Sequence, residues 1–134
     1  MTTITVTGLD AVQAALKRIG RIKTQSALRV VGLQIQEQVE RRIETEKRAP
    51  NGLRWAPWSP GYAKTRGPEH SLLIDTGRLL DSFRTINVGS SVQMGTDVDY
   101  ARKNDREREF MGLSTDNKRE IRDVVEDWLR EQLR

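Results

Sequence analysis

This 134-residue chain contains no cysteine and only one histidine, and these two scarcities exclude the most. Without cysteine there is no thiol nucleophile, no disulfide and no cysteine-ligated metal. The single histidine, His70, lies in a stretch rich in proline and glycine, and no nucleophile elbow accompanies it. Asp97, Asp99 and Asp105 lack the glycine and closing glutamate of a calcium loop. We therefore expect no catalytic residue, no metal site and no cofactor.

The chain also lacks any apolar run near the roughly 20 residues that span a bilayer. Its first residues, Met1 to Val6, have neither the charged head nor the apolar core of a signal peptide. We expect no membrane partner, and synthesis in a cytosol. The length fits one domain over residues 1–134. Hydrophobic residues make up only 36%, a polar balance that favours hiding leftover apolar surface against other copies of the chain.

Positive charge is in slight excess, with 23 Lys and Arg against 19 Asp and Glu and a net charge of +4. The excess collects in two stretches, at residues 17–29 and 41–48. Such clusters can contact a phosphate backbone, or they can be solvated helix faces. The interspersed acidic residues Glu37, Glu40 and Glu44 fit the second interpretation. The side chains that could face DNA are Lys17, Arg18, Arg21, Lys23, Arg41 and Arg42.

Hydrophobic periodicity predicts a strand and then two helices at the start of the chain. Residues 3–7 alternate threonine with Ile4 and Val6, which is typical of a strand. Residues 9–19 have apolar residues at helical spacing. A longer helix is expected over about 24–47, before Pro50. Its apolar stripe consists of Leu28, Val31, Ile35, Val39 and Ile43.

The rest of the chain combines a long loop, a hairpin and a closing helix. Residues 49–72 hold all four prolines, which predicts the loop. A short helix is expected at 77–83, capped by Asp75 or Thr76, and strands at 84–88 and 91–94. The closing helix is capped by Ser114 or Thr115 and has a stripe of Ile121, Val124, Val125, Trp128, Leu129 and Leu133. The predicted class is α+β: N-terminal helices, a long Trp-containing loop, a small antiparallel sheet and a C-terminal amphipathic helix.

The triplet Asp75-Thr76-Gly77 after an apolar run also occurs in dimeric aspartic proteases, where two such loops bring two carboxylates together. Two helical stripes flank the triplet here instead of the many strands which that enzyme needs. Arg78 also follows the glycine, where that family has a small residue. A helix cap followed by a tight turn at Gly77 explains the triplet without any chemistry.

Two of the three tryptophans, Trp55 and Trp58, lie inside the long loop. They could stack nucleic-acid bases beside Arg54 and Lys64. They could instead pack on the domain or on a neighbouring subunit, which the enrichment of tryptophan in interface hot spots favours.

A series of short motifs in fixed order resembles the phage virion morphogenesis (tail completion) family. The motifs are P-x-G-x-x-W at 50–55, T-G-x-L-x-x-S at 76–82, Y-A at 100–101 and R-x-F-x-G-L-S at 108–114. The resemblance extends over roughly residues 10–130. Only residues 102–107 fill the gap where relatives usually carry a longer insert, and Trp58 replaces a more usual aliphatic residue. The matching positions are Trp55, Thr76, Gly77, Leu79, Ser82, Gly95, Tyr100, Ala101, Arg108, Phe110 and Gly112.

This resemblance implies a structural protein of the tail or neck of a phage or prophage virion, assembled in the host bacterial cytoplasm. It would complete the tail, permit head–tail joining and form a homo-oligomeric ring, with a hexamer favoured. Its partners would be other tail or neck proteins, with non-specific contact to DNA in the channel. A tail terminator at the same junction and a small DNA-binding protein are competing interpretations. The candidate interface residues are Trp55, Trp58, Leu79, Tyr100, Arg108 and Phe110.

Overall fold

A three-stranded antiparallel sheet with a long helix on one face forms the centre of the protein. The computed structural model describes residues 2–6, 21–65, 72–74, 77–89 and 91–132. The strands are β1 (Thr2–Val6), β2 (Arg84–Val88) and β3 (Ser91–Thr96), in the order β1-β3-β2. All three predicted strands and the α+β class are confirmed. The predicted helix at 9–19, His70, Asp75 and Thr76 lie outside the described residues.

The long helix α1 (Arg21–Arg41) continues as one π-helical turn (Arg42–Glu46) and ends at Lys47, whose φ is 54°. Its expected apolar stripe is confirmed, because all five of those side chains are buried. Gly32 brings the helix close to the sheet, since a Cβ at this position would lie 2.8 Å from the Val92 side chain. The stripe and the inner face of β3, with Val92 and Met94, share one apolar core.

The β2–β3 hairpin turns at Gly89, which has a φ of 59°. Its side chains divide between two faces, as the period of two in a strand requires. Val92, Met94 and Thr96 of β3 are buried, whereas Ile86 and Val88 of β2 are about half exposed on the opposite face. Before the hairpin, the short helix expected at 77–83 is only a 3₁₀ turn at Leu80–Ser82.

The closing helix α4 (Thr115–Gln132) packs against α1. Ser114 Oγ accepts from the backbone N–H of Asn117 at 2.9 Å, and Asn117 Oδ1 accepts from the Ser114 N–H at 3.0 Å. This reciprocal pair is the capping-box arrangement, with Asn117 in the place that Glu or Gln usually takes. Of the expected stripe, Ile121 and Val125 are buried, Val124, Trp128 and Leu129 are partly buried, and Leu133 lies outside the described residues.

Two further helices are short. Residues 49–72 are expected to be loop, yet α2 (Pro60–Thr65) lies within them. Residues 101–107 form α3 (Ala101–Glu107), in a region expected to be loop or short helix.

Candidate assembly site at the tryptophan segment

Two motif-bearing segments that are about fifty residues apart in sequence lie side by side. The indole N–H of Trp55 donates a 2.8 Å hydrogen bond to the carbonyl of Glu109. In the other direction, the Arg108 Nε–H donates to the carbonyl of Ala56 at 2.8 Å. These crossed bonds fix the P-x-G-x-x-W segment against the R-x-F-x-G-L-S segment.

The guanidinium of Arg42 binds the second segment through its backbone carbonyls. Arg42 is only 2% exposed, and it donates to the carbonyls of Phe110 at 2.6 Å and Gly112 at 2.9 Å and to Asn117 Oδ1 at 2.5 Å. Burial lowers the pKa of Arg42 from its ordinary value, while the charges of Glu46 and other nearby carboxylates oppose this. Arginine stays charged at neutral pH, so the carbonyl and amide dipoles stabilise a buried cation.

Asp105 binds the backbone N–H groups of the same segment. Its Oδ1 accepts from the backbone N–H groups of Phe110 and Met111, each at 3.0 Å. The Phe110 ring is fully buried and meets Phe83 edge to face, with 6.0 Å between centroids. At Gly112, with a φ of 135°, a Cβ would lie 2.9 Å from Pro50 Cγ. A backbone this tightly enclosed requires glycine at that position.

Residues 48–65, which we call the arm, have a fixed base. The backbone N–H of Trp55 donates to the carbonyl of Lys47 at 3.0 Å, and Ala49 donates to Leu53 at 2.8 Å. The Lys47 ammonium donates to the carbonyl of Leu72 at 2.7 Å. Burial lowers the pKa of Lys47, and the charge of Glu44 acts in the opposite direction.

The tip of the arm is exposed. Trp58 and Tyr62 meet edge to face with 5.7 Å between ring centroids. Helix α2 contains no buried residue, and Tyr62 within it is 48% exposed. Leu53, at the turn of the base, is 69% exposed. The arm therefore has an anchored base and an apolar, solvent-facing tip.

The T-G-x-L and Y-A motifs meet at another edge of the core. Leu79 is buried, and its carbonyl accepts from the Ser82 hydroxyl at 2.6 Å. The hydroxyls of Ser82 and Thr96 are also 2.6 Å apart. The guanidinium carbon of Arg78 lies 5.7 Å from the ring centroid of Tyr100, a cation–π contact.

A sequence model of the phage virion morphogenesis family matches residues 7–103, which is more than half of the chain. The chain belongs to the phage virion morphogenesis family. Membership gives the protein a structural or assembly role in building a phage virion. The matched range includes Trp55 and Tyr100 but ends before the R-x-F-x-G-L-S segment. Neither a curated protein nor a solved structure matches the chain.

The predicted interface residues of this family member divide into two groups. Trp55, Leu79 and Phe110 have less than a tenth of their surface exposed and belong to the core of their own chain. Trp58, Tyr100 and Arg108 keep part of their surface accessible. The second group alone therefore has side-chain surface to offer another molecule without a change of the fold.

The basic residues that could face DNA are also divided. Arg42 is not available to DNA, because its guanidinium is buried and hydrogen bonded to Phe110 and Asn117 of its own chain. Arg41 contacts Glu120 at 3.0 Å and Glu46 at 3.3 Å, and the hydrogen bond with Glu120 raises its pKa. Lys17 and Arg18 lie outside the described residues, and for Arg21 and Lys23 only the helical backbone is described.

The sequence patterns do not reveal the roles of Asp105 and Asn117. One signal for the structural role of Arg42 is available: it follows Val39 by three residues and Ile35 by seven, so it falls on the buried stripe of α1. Among the described ranges no three His, Asp or Glu side chains come together as metal ligands. In those same ranges, no helix is long and apolar enough to cross a bilayer.

Proposed function

We propose that this protein completes the phage tail and allows the tail to join the head. Membership of the phage virion morphogenesis family is the observation that carries the proposal. The protein works as a building block of the virion neck, without catalysis or a cofactor. Its partners are copies of itself in a ring, for which we favour a hexamer, and neighbouring tail or neck proteins.

The distribution of fixed and exposed parts supports this role. A ring needs heterologous contacts, in which one face of a subunit meets a different face of the next. The arm offers one such face, because its base is tied to Glu109 and Lys47 while its tip is exposed. The positive net charge of +4 also suits a ring around a channel that DNA crosses without sequence recognition.

Deletion of the gene from the phage or prophage that encodes it tests the proposal. Electron microscopy of the lysate should show filled heads and tails of normal length that fail to join. Adding the purified protein to that lysate should restore joined, infectious particles. Joined particles in the deletion lysate would refute the proposal.

A tail terminator at the same junction is the second candidate, because it also needs a ring at the end of the tail tube. The same images separate the two roles. A terminator stops growth of the tube, so its loss gives tails of abnormal length. A completion protein acts on a finished tube, so its loss leaves the length unchanged.

DNA binding and proteolysis each have a direct test. A DNA-binding protein should retain DNA fragments at low salt and lose them steeply as salt rises. An aspartic protease should cleave a peptide mixture, and the Asp75→Asn variant should abolish that cleavage. We expect the purified protein to do neither.

A further inference from the structure

The arm has the composition of a contact surface, both at its tip and at the turn of its base. At the tip, Tyr62 is 48% exposed and Trp58 is partly exposed beside it; at the turn of the base, Leu53 is 69% exposed. The basic side chains of Arg54, next to Leu53 in sequence, and Lys64, two residues after Tyr62, are also exposed. Tryptophan, tyrosine and arginine are the residue types enriched in interface hot spots.

The helix at the tip is short and exposed. None of the residues in α2 is buried, and the helix has only six residues. Isolated helices shorter than about 12 residues are marginal in water, because nucleation costs more than a few hydrogen bonds return. A partner that covers this tip would therefore stabilise the helix as well as hide its apolar surface.

A second surface, on the solvent side of α1, has the complementary character. Leu33, Glu37, Glu40 and Glu44 step by four, three and four residues, so they lie on one face of the helix. Leu33 is 56% exposed, Glu37 and Glu44 are exposed, and Glu40 is partly exposed. We call this row of residues the acidic strip. It combines one large apolar side chain with three carboxylates.

We propose that the arm of one copy docks on the acidic strip of a second copy. Charge complementarity selects this occupant, because the arm presents Arg54 and Lys64 and the strip presents Glu37 and Glu44. Each surface also has an exposed leucine to bury. The two surfaces differ and lie on one chain, so the contact is heterologous and propagates from copy to copy. This inference rests on the self-assembly that the proposed function requires.

A charge-swap experiment tests the docking. One variant reverses the arm (Arg54→Glu with Lys64→Glu), and the other reverses the strip (Glu37→Lys with Glu44→Lys). Sedimentation equilibrium should give each variant alone a self-association constant at least tenfold smaller than that of the wild type, since like charges then face each other. An equimolar mixture should recover assemblies of wild-type size, because every arm in an alternating ring meets a strip of opposite charge.

Matched charge reversals on α4 serve as controls. Lys118→Glu with Arg122→Glu, and Asp123→Lys with Glu126→Lys, change exposed residues by the same amounts. They should assemble like the wild type, and urea unfolding should show that all four variants fold. The docking would be overturned if either swap variant associated as strongly as the wild type, or if the mixture showed no recovery. It would also be overturned if the wild type stayed monomeric. Head–tail joining in the deletion lysate tests the proposed function separately, so the two failures are distinguishable.

Discussion

Arg42 donates a 2.5 Å hydrogen bond to the side-chain oxygen of Asn117, and this bond joins the end of one helix to the start of another. The same oxygen accepts the backbone N–H of Ser114 and so belongs to the cap of α4. Gln38, one turn earlier on α1, donates to the backbone carbonyl of Asn117 at 3.0 Å. The start of the closing helix is therefore positioned by polar groups inside the protein, and the apolar stripe adds to that.

We expect Arg42→Met to lower the free energy of unfolding by about 3 kcal/mol or more, because three acceptors lose a charged donor. Arg41→Met is the matched control. Arg41 is the neighbouring residue but is 36% exposed, and its surface ion pair should contribute less than about 1 kcal/mol. Urea unfolding of both variants measures the difference. Similar losses in the two variants would contradict the role assigned to Arg42.

Gly112→Ala should destabilise the fold by about 1 to 3 kcal/mol. Its φ of 135° is unfavourable for alanine, and the added Cβ would lie 2.9 Å from Pro50 Cγ. Gly61→Ala is the control, since nothing lies within 4 Å of a Cβ there and the residue is in a helix. Thermal unfolding should show a clear loss for the first variant and no loss for the second. Equal unfolding midpoints for the two variants would show that the segment around Gly112 can shift to accommodate the added methyl group.

The two tryptophans of the arm should respond differently to replacement by alanine. Trp55 is 6% exposed and its indole is hydrogen bonded, so Trp55→Ala should cost about 3 to 5 kcal/mol of stability. Trp58 is partly exposed, so Trp58→Ala should change stability by less than about 1 kcal/mol and weaken self-association instead. Urea unfolding and sedimentation separate the effects. A large stability loss in Trp58→Ala would place that side chain in the core.

Ser114→Ala should lower stability by about 1 kcal/mol, because the hydroxyl accepts the Asn117 N–H at the first turn of α4. Thr115→Ala is the control, since Thr115 is exposed and adjacent. Chemical denaturation curves of the two variants give the comparison. If Thr115→Ala proved the more costly change, the cap would lie one residue later than the structure has it.

Local patterns are enough to predict the long helix, the hairpin and the closing helix, but not the short helix α2. The stripe from Leu28 to Ile43 is confirmed because a period near 3.6 forces those side chains onto one face. The hairpin is confirmed because Gly89 adopts the positive φ that its turn needs. The cap at Ser114 is one of two options that the sequence leaves open, and its hydrogen bond settles the choice.

Contacts between distant segments cannot be predicted in the same way. Arg42 and Phe110 are 68 residues apart, and the sequence around each of them does not indicate that the two residues are in contact. The charge of Arg42 favours the surface, although its position on the stripe indicates burial. The residue type of Trp55 favours an interface, whereas its side chain is buried in the core of its own chain and hydrogen bonded to Glu109. Tertiary context decides all of these positions.

The strand order has a consequence for synthesis. β1 is made first, but its residues Thr2 to Val6 pair with Thr96 to Val92 of the central strand. At about 5 to 20 residues per second, the ribosome needs roughly 5 to 20 s to reach that partner. For this interval the strand with which β1 pairs in the folded sheet has not yet been made. The sheet can therefore be completed only late in the synthesis of each chain, after the long helix has been translated.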